Sequence, residues 1–162
     1  MSNKALSIYM DDHYAMLCGE VELANRVASE NQQNDLGPYL TKFAQELDSQ
    51  RNLLQALLAT QGESPSTAKQ ALTWVAEKIG RLKPNDGWSE YTNLARVLEL
   101  EVLISATQAR VLMWKTLDRV LTDQEADKDK VESAEHDSEK QLKSLKKFHK
   151  EAEQQAFPVP EE

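Results

Sequence analysis

The chain has little that would interrupt or cross-link a helix. It carries only five glycines and five prolines in 162 residues, and Gly80 and Gly87 stand alone rather than in a phosphate-cradling loop. Cys18 is the only cysteine, which excludes an internal disulfide and fits a reducing compartment. Apolar runs are short of the roughly 18 residues that a bilayer span needs. The opening MSNKALSIYMDDHY lacks the apolar core of a signal peptide, so a cytoplasmic protein is expected. Basic residues are in deficit, 19 against 27 acidic, and a net charge of −8 argues against a nucleic-acid partner. No Cys/His spacing suits zinc. Cys18 and His13 are five apart, on different helix faces and with no orienting acid. No catalytic or cofactor-binding residue is therefore singled out.

What remains abundant is Ala, Leu, Glu, Gln and Lys, with 40% hydrophobic residues and no strand-like alternation of Val, Ile, Tyr and Phe. An all-α fold is expected. A first helix is read from about Ala5 to Asn31, with Leu6, Tyr9, Met10, His13, Met16, Leu17, Glu20, Ala24 and Val27 on one face. A second runs from Asp35 or Pro38 to about Thr60. Its stripe is Leu40, Phe43, Leu47, Leu54, Leu57 and Leu58, interrupted by Gln50 and Arg51 and flanked by Glu46. Gly62 suits a left-handed C-cap. A short third helix is read over Thr67–Leu82, and a fourth from Trp88 or Ser89 to about Leu121. Short connections make neighbours antiparallel, so an up-down-up-down four-helix bundle is expected over residues 1–122.

Residues 123–156 read as an additional helix of different character, carrying 7 basic and 12 acidic side chains within 123–162, with Glu139/Lys143 and Lys147/Glu151 at i+4 spacing. Its narrow seam is Val131, Ala134, Ser138, Leu142, Leu145 and Phe148, so it should lie on the bundle or on a partner subunit. His136 and His149 read as exposed. Residues 157–162, FPVPEE, are expected to form a flexible tail.

The stretch that organises the chain is Leu94–Leu117, apolar on most sides yet holding Glu99, Glu101, Gln108, Arg110 and Lys115. Glu101 continues the stripe Leu94, Leu98, Ser105, Gln108, Leu112 and is taken as the inward carboxylate. Glu99 then lies at the flank, one turn from Arg96. Together with Glu20, Glu46, Gln50 and Arg51 at the middles of their helices, these residues can share one layer of the bundle.

Over Leu6–Leu121 this arrangement resembles the ferritin-like superfamily. Glu20 stands at the middle of helix one, Glu46 on helix two and Glu99 or Glu101 on the fourth, while WVAEKIGRLK, LELEVL and MWKTL resemble a group of uncharacterised bacterial ferritin-like proteins. The resemblance implies a bundle that holds two iron or manganese ions between carboxylates. The family's Glu-x-x-His pairs are missing here: Glu46 is followed at that offset by Ser49, Glu77 by Gly80, Glu99 by Val102 and Glu101 by Ile104.

Two functions follow. In the first, no metal is bound, and Glu20, Glu46, Gln50, Arg51, Glu101, Gln108 and Arg110 form a buried polar and salt-bridge network. The chain is then a non-catalytic bundle working through protein contacts, with a homodimer or a protein partner and no membrane. In the second, Glu20, Glu46, Glu101 and His13 hold iron or manganese in an oxidase or storage bundle. His13 and Glu20 are stacked about 10 Å apart, too far to share one ion without help from other helices. A weaker third idea is a ligand pocket lined by Met10, Met16, Leu98 and Met113.

Overall fold

The computed structural model describes residues 3–65, 73, 77, 92–121 and 125–160. Among them the regular structure is entirely helical, in four long helices: α1 Lys4–Glu30, α2 Leu36–Thr60, α3 Asn93–Val120 and α4 Glu125–Ala156. The short helix expected over Thr67–Leu82 lies outside the described residues, apart from Thr73 and Glu77, which are helical. No described helix is long and apolar enough to cross a membrane.

Local chemistry sets the helix ends. Asn3 caps α1, its side chain accepting from Leu6 N at 3.3 Å. Asn31 closes the helix and donates from Nδ2 to Val27 O at 2.8 Å. Asp35 precedes α2 but its side chain makes no cap; Asn34 Oδ1 instead accepts from Leu36 N at 3.0 Å. Pro38, expected at or near the first helical position, sits third, where its missing N–H also has no intrahelical partner. Gly37 is required there, because a Cβ would lie 2.4 Å from Asn31 O. Gly62, with φ +77°, takes the left-handed conformation after α2. The start of α3 differs from the expected Trp88 or Ser89. Thr92 is extended, and its hydroxyl accepts from Ala95 N at 3.1 Å, so the helix begins at Asn93.

Cross-contacts fix the directions. Asn31 meets Arg96, Arg26 meets Glu99 and Glu20 meets Arg110, so α1 and α3 run in opposite senses. Along α3 and α4 the pairs are Arg96–Gln155, Glu101–His149, Arg110–Gln141 and Lys115–Glu135, again antiparallel. Tyr39–Phe148, Glu46–Gln141 and Gln50–Ala134 give the same relation for α2 and α4. The end of α2 and the start of α3 consequently lie at opposite ends of the assembly.

The charged C-terminal helix packs along the whole length of α3. Val131, Ala134, Leu145 and Ala152 share one core with Leu17, Leu40, Phe43, Leu100 and Trp114. Positions 131, 134, 138, 141, 145, 148 and 152 alternate steps of three and four, the spacing that keeps one seam against a neighbouring helix. The expected ion pairs Glu139/Lys143 and Lys147/Glu151 are not formed. Glu139 instead reaches across to Lys115 at 2.8 Å, where it also ties α4 to α3.

Helix α3 turns the other way from the expected one. Leu100, Leu103, Thr107, Arg110, Trp114 and Leu117 face inward, while Leu94 and Leu112 are 49% and 56% exposed. Two heptad-like stripes are available on this helix, and the one with Trp114 buries more apolar surface.

Candidate functional site

Each described helix sends a polar side chain into the layer around Arg110, which is 2% exposed. Its Nε donates to Glu20 Oε2 at 3.1 Å, and Nη2 donates to Glu20 Oε1 at 3.0 Å and to Thr107 Oγ1 at 3.3 Å. On the other side Nη1 faces three oxygens: Gln50 Oε1 at 2.8 Å, Ser138 Oγ at 2.7 Å and Gln141 Oε1 at 2.8 Å. The guanidinium carbon lies 5.8 Å from the centre of the Phe43 ring, so an aromatic face covers part of the cation.

The partners are held in turn. Thr107 donates its hydroxyl to Glu20 Oε1 at 2.8 Å. Trp114 Nε1 donates to Gln50 Oε1 at 2.9 Å, and Ser138 lies 3.1 Å from the same oxygen. Gln141 passes the chain outward, its Nε2 donating to Glu46 Oε2 at 2.7 Å. A fork-shaped cation with five N–H donors suits this mixture of one carboxylate and four neutral oxygens. Burying a charge so completely is tolerable only with a full set of partners.

The layer brings together four of the expected residues: Glu20, Gln50 and Arg110 at its centre and Glu46 at its half-buried rim. It leaves three out. Arg51 is half-buried and pairs with Asp48 at 2.8 Å, one turn back on its own helix. Glu101 and Gln108 are exposed, a correction that follows from the orientation of α3. Glu101 Oε1 lies 3.1 Å from His149 Nε2, so His149 is half-buried against α3 rather than free in solvent. Glu99, expected at the flank with Arg96, is fully buried and bonded to Arg26 Nη2 at 2.7 Å. Arg96 instead donates to Asn31 Oδ1 at 2.8 Å and to Gln155 at 3.0 Å.

Sequence reasoning missed Thr107, Trp114 and Gln141 as members of the layer and read Ser138 only as a small seam residue. The signal was present in the seam of α4, where Gln141 falls in register between Ser138 and Leu145. Once Trp114 is placed inward, Arg110 and Thr107 follow at one and two turns' distance.

The donor set does not suit a di-metal centre. Both oxygens of Glu20 are taken by N–H and O–H donors, Glu46 accepts from Gln141 and lies 3.7 Å from Lys42, and the middle of the layer holds a fixed positive charge. Among the described residues no three His, Cys, Asp or Glu side chains converge as metal ligands would. His13 is two turns from Glu20 and packs edge-on against Tyr9, ring centres 4.6 Å apart; burial lowers its pKa, with Asp12 opposing. Cys18 is buried. Met10 and Met113 are sealed in the core whereas Met16 is 40% exposed, so the ligand pocket imagined between them does not form as expected.

Beside the layer, α2 and α4 touch far more sparsely than α3 and α4 or α1 and α2. A cleft of about 540 Å³ opens between them, with Glu46, Gln50, Leu53, Asp129, Ala134 and Asp137 among its lining. Gln50 thus separates solvent in the cleft from the guanidinium. No family model, curated protein or solved structure matches the chain.

Proposed function

We propose that the chain is a non-catalytic helical-bundle protein of ferritin-like, up-down-up-down architecture. It works through protein–protein contacts in a reducing, cytoplasmic setting, with a guanidinium-centred network standing where such a bundle would hold two metal ions. The observation that carries this reading is the position of Arg110, which hydrogen-bonds side chains from each of the other three described helices at the depth where metal-binding carboxylates would converge. A divalent ion in this layer would meet like charge and would have to strip Glu20 of its three donated hydrogen bonds. The directions of the described helices support the alternating order, provided residues 61–92 supply the return pass. The single buried thiol supports the reducing setting.

Elemental analysis tests the reading directly. The protein, produced with iron and manganese supplied and then dialysed, should retain less than about a tenth of an equivalent of either metal, given the donor chemistry of the layer. One or two tightly held equivalents, lost on Glu20→Gln, would replace the proposal with the iron- or manganese-binding alternative.

A further inference from the structure

Helix α4 carries a basic stripe that the described residues of its own chain do not neutralise. The buried seam through Val131, Ala134, Ser138, Gln141, Leu145 and Ala152 occupies one side of the helix. At about 100° per residue, Lys140, Lys143, Lys146, Lys147 and Lys150 all fall within about 120° of arc, on the side opposite that seam. All five are exposed, and among the described residues none has a carboxylate within ion-pair distance. The same arc in the first half of the helix shows Asp129, at the edge of the α2–α4 cleft, with Glu132 and Glu139, all three exposed. A protein of net charge −8 therefore displays a basic stripe and, in line with it, an acidic one.

The two halves mirror each other about the junction of Glu139 and Lys140. Asp129 stands ten residues before Glu139, and Lys150 ten after Lys140. Glu132 stands seven before and Lys147 seven after. Glu139 and Lys140 themselves meet at the centre, while Lys143 and Lys146 fall level with His136 and Ser133, so three of the five lysines meet a carboxylate. Two copies of the helix laid antiparallel about that junction place each residue level with its mirror position. Each lysine–carboxylate pair then occurs twice under a twofold axis. Such self-complementarity is what an isologous dimer interface requires.

We infer that the outward face of α4 pairs antiparallel with the same face of a second copy of this chain. The inference rests on the reading that the protein works through protein contacts, and it names the surface and the partner. The face exposes no large apolar side chain, so the contact is electrostatic and reversible. At about 0.1 M salt the Debye length of roughly 10 Å mutes the repulsion between two molecules of like net charge while pairs at contact survive. Glu139 and Glu132 are shared, since they already lie 2.8 Å from Lys115 and 4.0 Å from Lys128 of their own chain.

Sedimentation of the full chain between about 10 μM and 1 mM, at about 0.1 M and 1 M salt, tests the pairing. A dimer is expected at the upper concentrations, its Kd rising about tenfold or more in high salt. Lys147→Glu with Lys150→Glu should abolish self-association, and Asp129→Lys with Glu132→Lys should do the same. An equimolar mixture of the two variants should dimerise again, because each reversed pair then meets its opposite. All four residues are exposed, so circular dichroism should show both variants folded. A dimer indifferent to salt and to these reversals overturns the α4 pairing but leaves the broader reading of function standing. Failure of the mixture to re-form a dimer overturns the antiparallel register. A monomer at every concentration overturns both the pairing and the homodimer reading.

Discussion

Arg110 donates from Nε and Nη2 to the two carboxylate oxygens of Glu20, at 3.1 and 3.0 Å, with both side chains 2% exposed. Removing one member strands the other charge in the core. Arg110→Met should therefore cost on the order of 3–5 kcal/mol in denaturant-measured stability. The double variant Arg110→Met with Glu20→Leu should recover most of that loss, since apolar replacements of a buried pair are often neutral or better. If the double variant is as unstable as Arg110→Met alone, the pair is not what stabilises the layer.

Gln50 Oε1 accepts from Arg110 and Trp114 and lies 3.1 Å from Ser138 Oγ, which places it at the joint of α2 with α3 and α4. Gln50→Leu should cost about 1–3 kcal/mol, because Trp114 Nε1 loses its acceptor and Arg110 loses one of three on that side. In a double-mutant cycle with Trp114→Phe the two losses should be less than additive by about 0.5 kcal/mol or more. Additive losses would mean the indole bond carries no energy.

Much of the helical framework was legible from periodicity, because Leu40, Phe43, Leu47 and Leu54 on α2 leave little choice of face. The rotation of α3 was not. Leu94, Leu98 and Leu112 form as regular a stripe as Leu100, Leu103 and Leu117, and spacing alone does not say which faces the core. Polar residues then misled in both directions: Glu101 and Gln108 sat on the stripe that turned outward, while Glu99 and Thr107, not expected inside, are fully buried. The weight of Trp114 decides the rotation, and the side-chain bonds to α1 and α4 follow from it. In the segment after Asp123 the seam through Val131, Ala134, Ser138, Leu145 and Phe148 was legible, whereas charge density and polarity hid the places of Gln141 and Ala152 on it.

That rotation makes opposite forecasts for two carboxylates only two residues apart. Glu99 is fully buried against Arg26, so Glu99→Leu should cost on the order of 2–4 kcal/mol by leaving Arg26 without its closest acceptor and a polar site filled by an apolar group. Glu101→Leu removes only an exposed contact with His149 and should change stability by about 0.5 kcal/mol or less. Thermal unfolding of the two variants side by side reads the difference. Equal effects, or a larger one at Glu101, would mean that α3 is rotated otherwise.

Tyr39 supplies a pH signature for the α2–α4 contact. Its ring lies 4.9 Å from Phe148, its hydroxyl donates to Gln141 O at 3.4 Å, and burial foremost, with help from Glu46, pushes its pKa up to about 12 against the opposing pull of Ser144 and Arg110. The unfolded chain releases this proton near pH 10, the folded chain about two units later. Between those values the unfolded state binds fewer protons, so stability is full below pH 10 and falls as pH rises towards 12. With the side chain partly exposed, screening trims the loss attributable to this group to about 1–2 kcal/mol. Tyr39→Phe should remove that part of the alkaline destabilisation while costing only about 0.5 kcal/mol at neutral pH, the value of one long hydrogen bond. Urea denaturation of both proteins from pH 9 to about 12 compares them, and parallel curves would show that α2 and α4 do not close over the phenol.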